Sequence, residues 1–433
     1  MNTIERLYDF INEEEDARIC KDIDENACRY TPKNYFLILL SNIFTKLGDT
    51  LSNPKTVLAW VMSYVQAPVY LISFIVPIRE SGSMLPQIII SSYIRKKEIR
   101  KWVWVLGSLL QFLSISAIGV VAMNFDGSKA GWLIIILLIV FSLSRGLCSI
   151  SSKDVLGKTI PKTRRGKLKG YTVAVSGILV LFAGLFMIYK SKQEQNIEFY
   201  SSIIFFAGCM WLISAIVYAN IKEFPGETSG GQNGLSEAIA KISILKTDPN
   251  FRNFIISRSL LLCSALTAPF YVLLAQTYLG KESYLLGLFI LANGIASIVS
   301  APIWGRMADV SSKKVMSIGA IITSVLGILI FLIISFFPVL RQQYWLYPIA
   351  FFVLGIAHNG VRLGRKTYIL DMAGGNKRTD YVAVSNTLIG IILLITGGIS
   401  ALASIVSVEG VILALSLLGV AGAYKSSKLP NVE

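Results

Sequence analysis

Long apolar runs recur along the chain, each bounded by charged or turn-forming residues. Each is near the ~20 residues that a helix needs to cross about 30 Å of hydrocarbon. Their edges predict twelve spans, at about 35–65, 68–94, 102–123, 131–152, 170–190 and 199–221, then 251–279, 284–307, 315–337, 344–365, 381–405 and 409–424. A segment crossing lipid must satisfy its own backbone, so the pattern predicts an all-α polytopic membrane protein without a sheet. Residues 1–33 form a polar tail, 34–221 a first six-helix bundle, and 251–424 a second. Between them, 222–250 holds Pro225, Gly226 and the Gly230-Gly231 pair, then an apolar-periodic surface helix from Leu235 to Leu245. Residues 425–433 close the chain.

The halves repeat. Each opens on a long first span and has a basic loop after its second, and Gly107 and Gly319 follow those loops in corresponding places. Tyr171-Thr-Val-Ala-Val-Ser176 recurs as Tyr381-Val-Ala-Val-Ser385 at the start of each fifth span. Inside the first span, Gly48-Asp-Thr-Leu-Ser-Asn-Pro54 predicts a kink or unwound turn, tolerated only where backbone faces protein or a cavity. Two pseudo-symmetric six-span halves about a midplane cavity describe a large class of secondary transporter.

Composition agrees with the pattern: 54% of residues are hydrophobic and only 15% charged, against ~25% in soluble domains. The net charge of +15 suggests nucleic acid until its placement is read. About 31 lysines and arginines fall on one side, about 5 on the other and about 5 within spans, which is the positive-inside asymmetry. It places both termini in the cytoplasm and makes lipid, not nucleic acid, the surrounding partner. Trp102, Trp104, Trp132, Trp304 and Trp345 fall near span ends, as an aromatic belt does. The first residues show no basic region followed by an apolar one, so no cleavable signal is expected. Ile4, Leu7, Tyr8 and Ile11 fall at helical spacing beside the acidic Glu13–Asp16 run, which predicts a short helix docked on the protein's own cytoplasmic face. The five cysteines give no disulfide framework, and Cys20 and Cys28 read as ordinary cytosolic thiols.

The loop after span eight reads Gly305-Arg-Met-Ala-Asp-Val-Ser-Ser-Lys-Lys314, and that between spans four and five reads Pro161-Lys-Thr-Arg-Arg-Gly-Lys-Leu-Lys-Gly170. On these loops and the repeat, the chain resembles the major facilitator superfamily over nearly its whole length. Gly305, Asp309, Lys313 and Lys314 match the family's conformational loop, whereas Val310 and Ser312 depart from it. Arg165 and Gly166 match the second loop. In the first half the corresponding loop is degraded, with Lys97 where an aspartate belongs. The first span and the Pro77-Ile-Arg-Glu-Ser81 stretch resemble a bacterial branch of unknown cargo. The resemblance implies alternating access in a bacterial inner membrane by a monomer without cofactor or metal. Glycines at 170, 177 and 184 without a proline predict close helix packing and count against a multidrug antiporter.

Charges inside spans are costly and mark function or pairing. Arg79 and Glu80 are helix neighbours pointing ~100° apart, so they cannot simply neutralise each other. Lys46 and Asp49, three apart, suit a self-neutralising pair as well as a functional role. Lys55 can snorkel toward the outer end. Arg145 sits deep in span four, Arg258 corresponds to Lys46 by the repeat, and His358 is the one histidine. Substrate-binding candidates are therefore Arg79, Arg145, Lys46, Lys55, Arg258 and His358, and proton-coupling candidates are Asp49 and Glu80. This basic set favours a small anionic or carboxylate-bearing solute, with H+ as coupling ion. A proton-coupled efflux pump for amphipathic compounds and a transporter-like sensor or assembly protein remain open. No metal-ligand or phosphate-cradling spacing supports an enzyme.

Overall fold

The computed structural model describes residues 5, 8, 25–85, 90, 93–94, 96–190, 196–226, 228, 242–372 and 377–432. Every regular element among them is a helix. Ten segments are long and apolar enough to cross a bilayer: Lys101–Asn124, Gly127–Thr159, Arg164–Lys190, Ile197–Ala219, Pro249–Leu279, Tyr284–Val310, Ser312–Phe336, Leu346–Met372, Tyr381–Val406 and Val408–Ser427. They are spans three to twelve of the sequence pattern. Span one is Thr31–Leu51 followed by Val57–Tyr64, and span two begins as Val69–Ser73 and Ile75–Met84.

The break in span one falls at residues 52–56, just after the predicted glycine. Its polar groups are satisfied locally: Ser52 Oγ donates to the Gly48 carbonyl at 2.9 Å, and Asn53 Oδ1 accepts from the Lys55 amide at 2.8 Å. Gly48 itself is helical. A Cβ there would stand 3.1 Å from both the Ala207 carbonyl and the Trp211 ring, so this glycine serves close contact with span six rather than unwinding. Span seven has the matching irregularity, running as Pro249–Leu260, Cys263–Leu266 and Ala268–Leu279.

Successive spans alternate in direction, giving a tail end, where residues 31, 159–162, 221–226, 310–312 and 427 lie, and a far end with 64–69, 124–127, 279–283 and 406–408. The halves are bonded at the far end. Lys281 Nζ donates to the Ser63 and Tyr64 carbonyls at 2.9 and 3.1 Å, capping the exposed C-terminus of Val57–Tyr64. Tyr200 Oη donates to the Lys281 carbonyl at 3.1 Å, Gln276 Nε2 to the Trp60 carbonyl at 3.3 Å, and Ser73 Oγ to Ser404 Oγ at 3.3 Å. Burial lowers the pKa of the Lys281 ammonium below the ordinary lysine value.

Spans five and eight show the same asymmetry. Near the far end a Cβ on Gly184 would stand 2.8 Å from Leu291, whereas Gly170, Gly177 and Gly305 toward the tail end have nothing within 4 Å. The predicted glycine packing therefore holds at Gly184 and fails at Gly170 and Gly177, because the two spans diverge there.

At the tail end of the first half, the fully buried carboxylate of Glu223 accepts from the Arg100 amide at 3.0 Å, the Lys101 amide at 2.7 Å and Lys158 Nζ at 3.1 Å. A carboxylate at that N-terminus meets both the orphan amides and the helix dipole. Span four continues past the predicted residue 152 to Thr159, so that Asp154 meets Arg100 and Lys158.

Two predicted belt tryptophans are core residues instead. Trp104 stacks on Tyr218 with ring centroids 3.8 Å apart, and Trp304 donates to the Ile356 carbonyl at 2.8 Å beside Gly360, where a Cβ would be only 2.6 Å away. Trp102, Trp132 and Trp345 are exposed. Tyr8 is buried edge-on against Tyr35, whereas Ile4, Leu7, Ile11, the Glu13–Asp16 run and Cys20 lie outside the described residues, as does most of Leu235–Leu245. Cys28 is disulfide-bonded, against the expectation of a free thiol.

Candidate solute site between the halves

The charges of the broken spans converge midway along the bundle. Asp49, on the last turns of Thr31–Leu51, pairs with Arg79 of span two at 3.0 Å and with Arg145 of span four. It does not pair with Lys46, the partner that the i,i+3 spacing offers. Lys46 is exposed, whereas the guanidinia approach Asp49 from two other helices. Arg79 also lies over the Phe141 ring, its Cζ 4.7 Å from the centroid, which fixes the fork's plane. Arg145 is half-buried and keeps donors free beyond the bond to Asp49.

Lys55 does not snorkel outward. Its Nζ donates to His358 Nε2 at 2.9 Å, across from the first half to span ten. Ser264 Oγ, 3.1 Å from His358 Nδ1, gives its own proton to the Leu261 carbonyl. The network therefore assigns a neutral His358 with its proton on Nδ1. Arg258 lies buried between spans seven and eleven, with Nη1 2.5 Å from Ser385 Oγ and Nη2 3.1 Å from Asn386 Oδ1. Glu80 is half-buried and makes no ion pair among the described residues, although the charges of Lys55, Arg79, Arg362 and Arg365 all act on it.

Arg362, Arg365 and Lys366 are the residues that sequence reasoning missed. The predicted span ten, ending near 365, holds Arg362 and Arg365 in its last turn and leaves Lys366 outside, and none of the three is among the candidates above; the helix runs on to Met372. A signal was available: His358, Arg362, Arg365 and Lys366 keep one helical face, whereas Gly360 and Gly364 face Trp304 and Met316. Lys46 lies within electrostatic reach of Asp49, Arg362 and Arg145. The site thus sets a large cationic excess against two carboxylates. Geometry of this kind holds anions by paired, charge-assisted bonds.

The loop residues stand apart from this cluster. Asp309 and Lys314 are exposed, and Lys313 Nζ donates to the Leu429 carbonyl at 2.9 Å. Arg165 donates to the Ile160 and Gly157 carbonyls at 2.8 and 2.9 Å, closing the C-terminus of span four. Gly166 and Gly305 have open space beside them.

The family model described as Major Facilitator Superfamily matches residues 259–426. No curated protein sequence matches the chain. Among solved structures, the inward open conformation of the xylose transporter XylE from E. coli is 13% identical, with a TM-score of 0.67, over 92% of this chain and 97% of that one. A POT family transporter in complex with a thioalcohol conjugated peptide is 10% identical, with a TM-score of 0.70, over 93% and 97%. The nucleoside transporter NupG is 12% identical, with a TM-score of 0.62, over 91% and 98%. Residues 259–426 thus match the Major Facilitator Superfamily in sequence, and nearly the whole chain has the fold of these membrane transporters.

Proposed function

We propose that the protein carries a small anionic solute across a bacterial inner membrane by alternating access, working as a monomer with both termini in the cytoplasm. The carrying observation is the cationic excess between the halves: Lys55, Arg362, Arg365 and Lys366 face Glu80, while Arg79 and Arg145 hold Asp49. With the tail end in the cytoplasm, bonding at the far end and open space beside Gly170, Gly177 and Gly305 describe a carrier turned inward. The halves, residues 34–221 and 251–424, rock about the charged centre, joined there by the Lys55–His358 bond.

A proton is the coupling ion in this reading. Asp49 already has two counter-charges in contact, whereas Glu80 has none, so Glu80 is the better placed carboxylate to exchange one. Purified protein in liposomes, loaded with a panel of anions, cations and neutral solutes, tests both parts. Anion flux that a proton gradient drives uphill is the expected result. Glu80→Gln should abolish accumulation while keeping counterflow exchange. Selective flux of a cation, or undiminished proton-driven uptake in both Glu80→Gln and Asp49→Asn, overturns the reading.

A further inference from the structure

Span ten presents one polar stripe. His358, Arg362, Arg365 and Lys366 sit at i, i+4, i+7 and i+8, so the helix stacks them along one face. The stripe begins at the bond to Lys55 and runs toward the tail end, where the halves diverge. Arg365 has no hydrogen bond or ion pair among the described residues, and its Nε is buried without a partner. A buried guanidinium donor left unmade is costly, so the position suits a group that arrives from outside the chain. Facing the stripe is Glu80, which also meets the charges of Lys55 on span one, Arg79 beside it and Arg145 on span four. Glu80 lies within electrostatic reach of these cations and forms an ion pair with none of them among the described residues. Its carboxylate and an arriving acid group would therefore draw on the same cations.

Resting on the anion reading above, we propose that Arg362, Arg365 and Lys366, with Lys55, seat a solute bearing two negative charges, and that Glu80 answers this seat while it is empty. Four cations set against one carboxylate leave three charges uncompensated. A monoanion removes one of them, whereas a dianion removes two and can engage both arginines at once. Two planar forks three residues apart on a helix offer bidentate seats to two acid groups or to one phosphate. Arg79 and Arg145, already engaged by Asp49, form the back wall. The solute's second charge reaches the same cations that Glu80 faces, so solute and Glu80 compete.

The test uses the full chain in lipid nanodiscs with five probes: succinate, glycerol 3-phosphate, propionate, xylose and choline. Equilibrium binding is measured on the unaltered protein and on Arg362→Gln, Arg365→Gln, Arg365→Lys and Glu80→Gln. Succinate or glycerol 3-phosphate should bind at least about tenfold more tightly than propionate, and the better of the two identifies the source of the dianion. Each arginine-to-glutamine change should weaken that probe by about tenfold, Arg365→Lys by less, and Glu80→Gln should tighten it by removing the competitor. If Arg365→Gln does not fold, Arg365→Lys and Glu80→Gln decide the matter. Propionate binding as tightly as both dianions, or a dianion affinity lowered by Glu80→Gln, overturns this assignment and leaves the anion reading intact. Binding of choline or xylose with no anion bound defeats both.

Discussion

Removing the carboxylate that gathers the centre is the sharpest perturbation available. In Asp49→Asn the side chain keeps its shape and loses its charge, leaving Arg79 and Arg145 to face each other. At 3.0 Å and an effective dielectric of 20, one such contact is worth about 5–6 kcal/mol before desolvation. Breaking a buried pair by deleting one partner costs ~3–5 kcal/mol. The Arg79 and Asp49 side chains are 9% and 16% exposed, but Arg145 is 32% exposed and water screens its share. The lower figure, about 3 kcal/mol, is therefore expected, equivalent to a fall of roughly 3 °C in Tm for a chain of this length. Thermal unfolding of purified protein, followed by intrinsic tryptophan fluorescence, measures it. Asp49→Asn combined with Arg145→Gln should recover part of the loss, because one orphaned charge has gone. If Asp49→Asn melts within about 1 °C of the unaltered protein, the pair is a hydrated contact of little consequence. If the double variant is less stable than the single one, the two guanidinia are not the reason Asp49 matters.

Three further outcomes are expected. Glu223→Ala orphans the Arg100 and Lys101 amides and Lys158, and should lower stability by about 2–4 kcal/mol, read by the same melt; an unchanged Tm contradicts the capping role. Lys281→Ala uncaps Val57–Tyr64 and should raise thiol labelling of cysteines placed at the far end. Because Lys281 binds its proton less tightly when buried, closure should strengthen as pH rises into the lysine range, and labelling that increases with pH speaks against this. Single cysteines at 97, 167 and 377 should react only from the cytoplasm and those at 126, 195 and 409 only from outside; external labelling at 167 reverses the map.

The architecture was legible because lipid imposes a length and a composition on every crossing segment, and spans three to twelve satisfy both. The site was half legible. A charge inside an apolar run announces itself, so Lys46, Asp49, Lys55, Arg79, Glu80 and Arg145 could be named, but spacing along one helix cannot tell which helix supplies the partner. Lys46 was the local choice for Asp49, and two remote arginines outcompete it. The opposite failure hid Arg362, Arg365 and Lys366. Clustered cations at the edge of a hydrophobic run look like a cytoplasmic loop, and only the continuation of the helix to Met372 separates the two. Trp104 and Trp304 were misplaced because an aromatic near a span end has two homes, the lipid interface and the packing against another helix.

The surplus of positive charge at the centre has an electrical consequence. A membrane held negative inside acts on each elementary charge with about 2.3 kcal/mol per 100 mV over the full drop. Under the function proposed above, an empty carrier turning outward would move the charge of Arg362, Arg365 and Lys366 against part of that field. Anions in the proposed seat would cancel the charge, so that the loaded carrier would turn with less electrical work. On that reading the resting voltage acts as a spring on the unloaded protein, and cargo that brings its own neutralising charge slackens it.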